Sequence, residues 1–239
     1  MSAIVIRDYR PEDRAAVRRI SFETGMQGQS IAPQYGDLES WADMFTGYYT
    51  DREPENGIVA ELDGEVVGYM LSALDERRAT NPMLYALKHA LLRGACFRPD
   101  TVRFYLRSVV DTFRDLLGPR APKVDYDLYP SGPHVNLLPA ARRAGVAKEM
   151  FYQVFDRVVA RGSTGAHGLV QASNQAIIDL ATKKLGFQMV GEPFFVPGLR
   201  GANGERVAIR ILGRRLTDWK IGAWKQADAQ PSGTIMKSS

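Results

Sequence analysis

The chain has 239 residues, of which 45% are hydrophobic and 24% charged, with a net charge of +4 and one cysteine, Cys96. These proportions fit a folded globular chain and exclude collagen-like, coiled-coil and disordered classes. A lone cysteine excludes an internal disulfide or a multi-cysteine metal site and fits a reducing, cytoplasmic setting.

Residues 3 to 9 read as a first strand, and Pro11 with Glu12 and Asp13 suits the start of a helix. Residues 23 to 40, with Gly25, Gly28, Pro33 and Gly36, read as a long loop. Asp63-Gly64 divides two β-rich runs, so strands are expected at about 57 to 62 and 65 to 73, joined as a hairpin. Residues 76 to 123 form a helical insert. Met83, Leu84, Leu87 and Leu91 give one apolar face, and Val102, Tyr105, Val109, Phe113 and Leu116 give another, with a break at Arg98-Pro99-Asp100. A short strand follows within 129 to 139, then the clearest helix at 145 to 161. Residues 167 to 172 read as a buried strand, and 175 to 185 as a helix stopped by Gly186. Asn203-Gly204 marks a second hairpin between 193 to 199 and 206 to 212. Residues 1 to 213 are therefore expected as one α/β domain, with a mixed, mostly antiparallel sheet flanked by helices, and 214 to 239 as a C-terminal tail.

The most informative stretch is Leu137-Leu138-Pro139-Ala140-Ala141-Arg142-Arg143-Ala144-Gly145-Val146-Ala147-Lys148. A strand leads through a short basic loop into a helix, whose first amides have no internal acceptor and lie at its positive end. Such a terminus holds a pyrophosphate readily. Gly145 and Ala147 leave the backbone approachable, and Arg142, Arg143 and Lys148 add positive charge. An ordinary strand-loop-helix corner with a solvated arginine pair reads the same residues without a ligand.

This stretch resembles the acyl-CoA-binding motif of the GCN5-related N-acetyltransferase (GNAT) superfamily, a strand and a Pro followed by Gln/Arg-x-x-Gly-x-Gly/Ala. Arg142-x-x-Gly145-x-Ala147 matches it, with Pro139 in place, and Lys184-Leu185-Gly186-Phe187 is similar to the family's frequent K-L-G-F ending. The likeness spans about 4 to 75 and 124 to 212. It implies a GNAT fold and an N-acyltransferase taking acetyl-CoA or another acyl-CoA as co-substrate. A fold that keeps the CoA pocket as an inactive binding or scaffold domain is the alternative. The resemblance also implies that backbone amides from Arg143 through Ala144, Gly145 and Val146 to Ala147 hold the pyrophosphate. Leu137 and Leu138 pair with the pantetheine arm, and Asn174, which also suits a helix N-cap, bonds it from the neighbouring strand end. The run YP…PHVNLLP is similar, more narrowly, to the acetyltransferase-like domain associated with O-GlcNAc hydrolases and its bacterial relatives.

Two roles fall outside the pattern. The place of the family's proton-donating Tyr is Thr182, and the spacing from Asn174 to Phe187 is one residue longer than the pattern. The usual positions of the base are Pro133 and Ser131, neither basic. His134 stands beside them but alternates to the other face of the strand, and Asp127 lies just upstream; these two are the candidate catalytic residues. The expected acceptor is the amine of a small molecule or peptide. Basic residues form no run longer than a doublet, so no nucleic acid is expected as partner. No run of about 18 apolar residues suggests a membrane span, and the opening turns charged too early for a signal peptide. No metal-ligand spacing occurs. A homodimer is among the expected partners. Cys96 is expected to be buried, and Trp219 and Trp224 to pack the tail onto the domain.

Overall fold

The turn at Asp63 and Gly64, both with positive φ (53° and 84°), joins β2 (Ile58–Leu62) to β3 (Glu65–Ala73), as the Asp-Gly pair predicts. The computed structural model describes residues 3–79, 88, 91, 92, 94, 97–118, 121–142 and 145–227. β1 (Val5–Asp8) pairs antiparallel with β2, and β3 pairs antiparallel with β4 (Gly132–Leu137), giving a sheet in the order β1-β2-β3-β4. A second antiparallel sheet has the order β5-β7-β6, from β5 (Gly165–Gln171), β6 (Gln188–Arg200) and β7 (Arg206–Arg215). Among the described residues a single parallel bridge, Ser131 to Ala166, joins the two sheets. Beyond it β4 and β5 splay apart.

Helices close both faces. α1 (Arg14–Thr24) buries Val17 and Ile20 against Tyr69 and Leu71 of β3. On the opposite face the long helix at 146–160 buries Met150, Phe151, Val154, Phe155 and Val158 against Ile58, Ala60 and Met70. α2 (Leu38–Ala42), a π-helical turn at Asp43–Gly47 and α3 (Tyr48–Arg52) follow the 25–37 loop. The sequence pattern gave no sign of these helices, because the π turn and Gly47 break the 3.6-residue period on which such reading relies. α4 (Pro99–Leu116) confirms the second insert helix. Met83, Leu84 and Leu87 of the expected first insert helix lie outside the described residues, as do His89 and Cys96.

α5 (Val146–Ala160) and β5 follow β4, and then α6 (Gln175–Asp179) continues as a π-helical turn over Leu180–Lys184. That wider turn absorbs the extra residue between Asn174 and Phe187. Core structure runs past the boundary expected at 213: β7 ends at Arg215, and Leu216 is buried. Trp219 packs on Phe155 with ring centroids 5.3 Å apart. Asp156 accepts from the indole N–H groups of Trp219 (2.8 Å) and Trp224 (2.9 Å), tying the segment that leads into α7 (Ala223–Ala227) to α5. No helix of the described residues is long and apolar enough to cross a membrane.

Candidate active site

The splay between β4 and β5 opens into a cleft of about 1450 Å³, above the usual range for a small-molecule site. Which backbone groups face it follows from the ladder. Leu138 N–H donates to Val67 O (2.9 Å), and Ser131 N–H donates to Gly165 O (3.1 Å). Alternate residues of a strand present their amides to opposite edges, so Gly132, His134, Asn136 and Leu138 turn theirs to β3. Val135 and Leu137 turn theirs to the gap, while Pro133, having no N–H, offers only a carbonyl there. On β5, His167 N–H donates to Ser131 O (2.8 Å), and the same alternation aims Leu169 and Gln171 into the gap. Two strand edges with open amides and carbonyls therefore face each other, a geometry suited to an extended amide-bearing chain.

This corrects the expected pairing in one respect. Leu137 and Val135, not Leu138, offer N–H groups to the cleft, because Leu138's is already bonded to β3. Leu137 O is taken as well, by Arg142 Nε at 3.0 Å. Arg142 Nη2 donates in addition to Gly28 O (2.7 Å), so this side chain clamps the 25–29 loop to the end of β4 while lining the cleft. Arg143 and Ala144 lie outside the described residues. Gly145 caps α5 with φ of 102°, a conformation that favours glycine, and among the described residues, its chain neighbours aside, no atom lies within 4 Å of where its Cβ would stand. Val146 begins the helix and Ala147 lines the cleft. Lys148 does not line it; its ammonium lies over the Tyr152 ring, 5.4 Å from the centroid. Asn174 lines the cleft and caps α6, its side chain accepting from Ile177 N–H at 3.4 Å.

At the vertex of the splay lies a polar cluster that the sequence only half revealed. His134 reaches the cleft with no bulge in β4, because the α1 face of that strand is itself a cleft wall. Its Nε2 is 2.7 Å from the hydroxyl of Tyr49 on α3, which donates to Glu76 Oε1 at 2.5 Å. Burial, reinforced by the Glu76 carboxylate, pushes the Tyr49 phenol well above its ordinary value, so it stays protonated. Burial alone would raise the Glu76 carboxyl, but His134, Tyr49 and the nearby His167 outweigh it and hold the group below its ordinary value. Glu76 is therefore a carboxylate and Tyr49 its donor. The phenol oxygen then accepts from His134 Nε2–H, which leaves Nδ1 as the ring nitrogen on the edge away from Tyr49. Glu76 Oε2 is buried with no hydrogen-bond partner among the described residues. It sits against Gly132, where an added Cβ would overlap it. His167 Nδ1–H donates to Tyr129 O at 2.8 Å, and burial lowers this ring below its ordinary value, keeping it neutral.

Other expected residues fall elsewhere. Asp127 sits in a surface turn, bonded to Arg77 at 2.8 Å with its side chain 84% exposed, and does not line the cleft. Tyr126 does line it, edge-on to His167. Thr182 Oγ1 donates to Ile178 O (2.7 Å), and this residue lines a groove beside Trp219 and Trp224 instead. The π-helical turn presents Leu180 and Ala181 to the cleft, so no acidic side chain stands there. Tyr49 and Glu76 were missed because α3 gave no pattern and Glu76 fell inside the insert. No group of three His, Cys, Asp or Glu among the described residues could hold a metal.

No family model matches the chain. Solved structures do. The crystal structure of SsHAT superposes with a TM-score of 0.63 at 23% identity, covering 89% of this chain and 98% of that one. A GNAT superfamily phosphinothricin acetyltransferase from Sinorhizobium meliloti, in complex with AcCoA, gives 0.55 at 19% identity, covering 91% and 92%. The chain carries the GNAT fold. An N-acetyltransferase from Staphylococcus aureus Mu50 shares this fold at a TM-score of 0.55 and 16% identity, covering 90% of this chain and all (100%) of that one. Within the GNAT fold of this chain, the splayed strands, the α5 terminus and the His134 cluster occupy one continuous cleft.

Proposed function

We propose that the chain is an N-acyltransferase that takes acetyl-CoA, or a close acyl-CoA, as co-substrate and acylates the amine of a small molecule or peptide by direct attack. The observation that carries this reading is the join between an open strand gap and a base-like cluster at its vertex. The residues fit the co-substrate: Val135 and Leu137 offer amides along the gap, and Gly145 leaves the α5 terminus clear for phosphate oxygens. Bound there, the co-substrate supplies an acyl thioester.

The protein's own groups do the rest. His134 Nδ1 accepts the proton that the acceptor ammonium must lose, directly or through a water. Tyr49 and Glu76 stabilise the imidazolium so formed, because its Nε2–H points through the phenol to a carboxylate. The inward amides of Val135 and Leu137 are the donors available to a carbonyl oxygen gaining negative charge. Phe45, Tyr48 and Tyr126 wall the acceptor end. In the place of the family's proton-donating Tyr, the cleft is lined by Leu180 and Ala181, so solvent protonates the departing thiolate.

The test is thiol release from acetyl-CoA across a panel of amines, amino acids and basic peptides, with affinity followed by calorimetry. His134→Ala should lower kcat by about 100-fold or more while acetyl-CoA affinity holds. Gly145→Glu should abolish binding, by blocking the phosphate approach and repelling it. Unchanged affinity in Gly145→Glu would sink the proposed site. Tight binding without release across the panel would favour an inactive CoA-binding domain instead.

A further inference from the structure

α4 is turned the wrong way round for a helix that serves only its own domain. Its buried stripe is Thr101, Phe104, Ser108 and Asp111, largely polar, and it packs on β6, where Asp111 accepts from Gly198 N–H (2.9 Å) and Arg200. Its outward stripe is apolar. Leu106 is 63% exposed, Val110 65%, Phe113 66%, Leu116 73% and Leu117 92%, with Val102 and Val109 beside them. Hydrophobic burial ordinarily sets such a helix the other way.

The outward residues fall at 102, 106, 109, 113 and 116, alternating steps of four and three. This is the 3.5-residue repeat by which one helix seats against another. Together the seven side chains leave on the order of 800 Å² of apolar surface open, more than a monomer usually shows in one patch and about one partner's share of a standard interface. Leu91, Leu92 and Phe97, described residues ahead of α4 in the chain, are themselves 58%, 73% and 86% exposed.

We infer that this face joins two copies of the chain, α4 against α4, antiparallel about a two-fold axis near Val109. The stripe is self-complementary in that arrangement. Val109 and Val110 meet their own copies at the axis, Leu106 lies opposite Phe113, and Val102 opposite Leu116. Small residues at the centre let the helices approach, and larger ones fill the flanks. A two-fold contact of this kind closes on itself and leaves no second sticky face.

Sedimentation velocity of the full chain tests the contact. The wild type should sediment as a dimer at micromolar concentration, with a thermal midpoint that rises with concentration. Leu106→Glu/Phe113→Glu should sediment as a monomer, associating at least a hundredfold more weakly, with an unchanged circular dichroism spectrum. A second measurement reads the geometry. In a Cys96→Ser background, Val109→Cys should form a disulfide between copies under mild oxidation, whereas Val5→Cys, 56% exposed on β1, should not. A wild-type monomer overturns the inference. A dimer that survives the double Glu substitution overturns it too, by placing the contact elsewhere.

Discussion

The Tyr49 hydroxyl stands between a ring nitrogen at 2.7 Å and a carboxylate oxygen at 2.5 Å, both in the cleft wall. Tyr49→Phe removes that link and leaves the ring packing with His134 in place (centroids 4.8 Å apart). With the Glu76 carboxylate disconnected, the imidazolium loses support. For Tyr49→Phe, kcat should fall about tenfold or more while acetyl-CoA affinity holds, whereas a merely structural tyrosine would leave kcat unmoved. His167 makes a separate prediction about stability. Its folded value lies below the ordinary 6.5 because of burial, so between the two values the unfolded chain binds the extra proton. Its share of stability is full above pH 6.5 and is lost as pH falls toward the folded value. Thermal midpoints measured from pH 7.5 to 5 should fall for the wild type and fall less for His167→Gln. At this scale Arg142, Gly145, Asn174 and His134 could be singled out from residue type and spacing. Tyr49 could not, since nothing local distinguishes it from the other nine tyrosines of the chain.

Among the elements, α4 is held to β6 by a buried ion cluster beside the apolar cluster in which Phe104 of α4 and Leu199 of β6 pack. Asp111 accepts from Arg200 Nη1 (2.6 Å) and Nη2 (2.9 Å) and from Gly198 N–H (2.9 Å), with its side chain only 4% exposed. Removing it leaves Arg200 without its carboxylate partner, which costs more than the pair itself contributes. Asp111→Ala should destabilise the protein by about 3 kcal/mol, the low end for breaking a buried pair, read from chemical denaturation. The hairpins at Asp63-Gly64 and Asn203-Gly204, α1, α5 and the order of the strands were legible, because turn chemistry and periodicity act over a few residues. The α2–α3 stretch and the π-helical turn at Leu180–Lys184 were not. Helical period is lost wherever a wider turn inserts a residue, and both of these turns line the cleft.

For the molecule as a whole, the decisive feature is that two sheets touch at one bridge and then part. Their separation is filled by no strand of the described residues, so a ligand that bonds both edges should stiffen the fold. Acetyl-CoA at about one hundred times its dissociation constant should raise unfolding free energy by about 2.7 kcal/mol. For a chain of this size that amounts to a shift of roughly 5–10 °C in thermal midpoint. Gly145→Glu should show no shift. An equal shift in both proteins would place the ligand away from the α5 terminus.

By itself, the sequence determined the class of fold, the two hairpins and the motif at Arg142-x-x-Gly145-x-Ala147, since each depends on neighbours in the chain. It also supplied an amphipathic α4, though not which way that helix would face. Tertiary structure alone decided that Leu138's amide belongs to β3 and Leu137's to the gap, because strand alternation has no meaning until a partner edge exists. It also set Glu76, Tyr49 and His134 within one cluster, although 27 residues separate the first two in the chain and 85 separate Tyr49 from His134. Contacts over such separations arise from packing, and no local pattern records them.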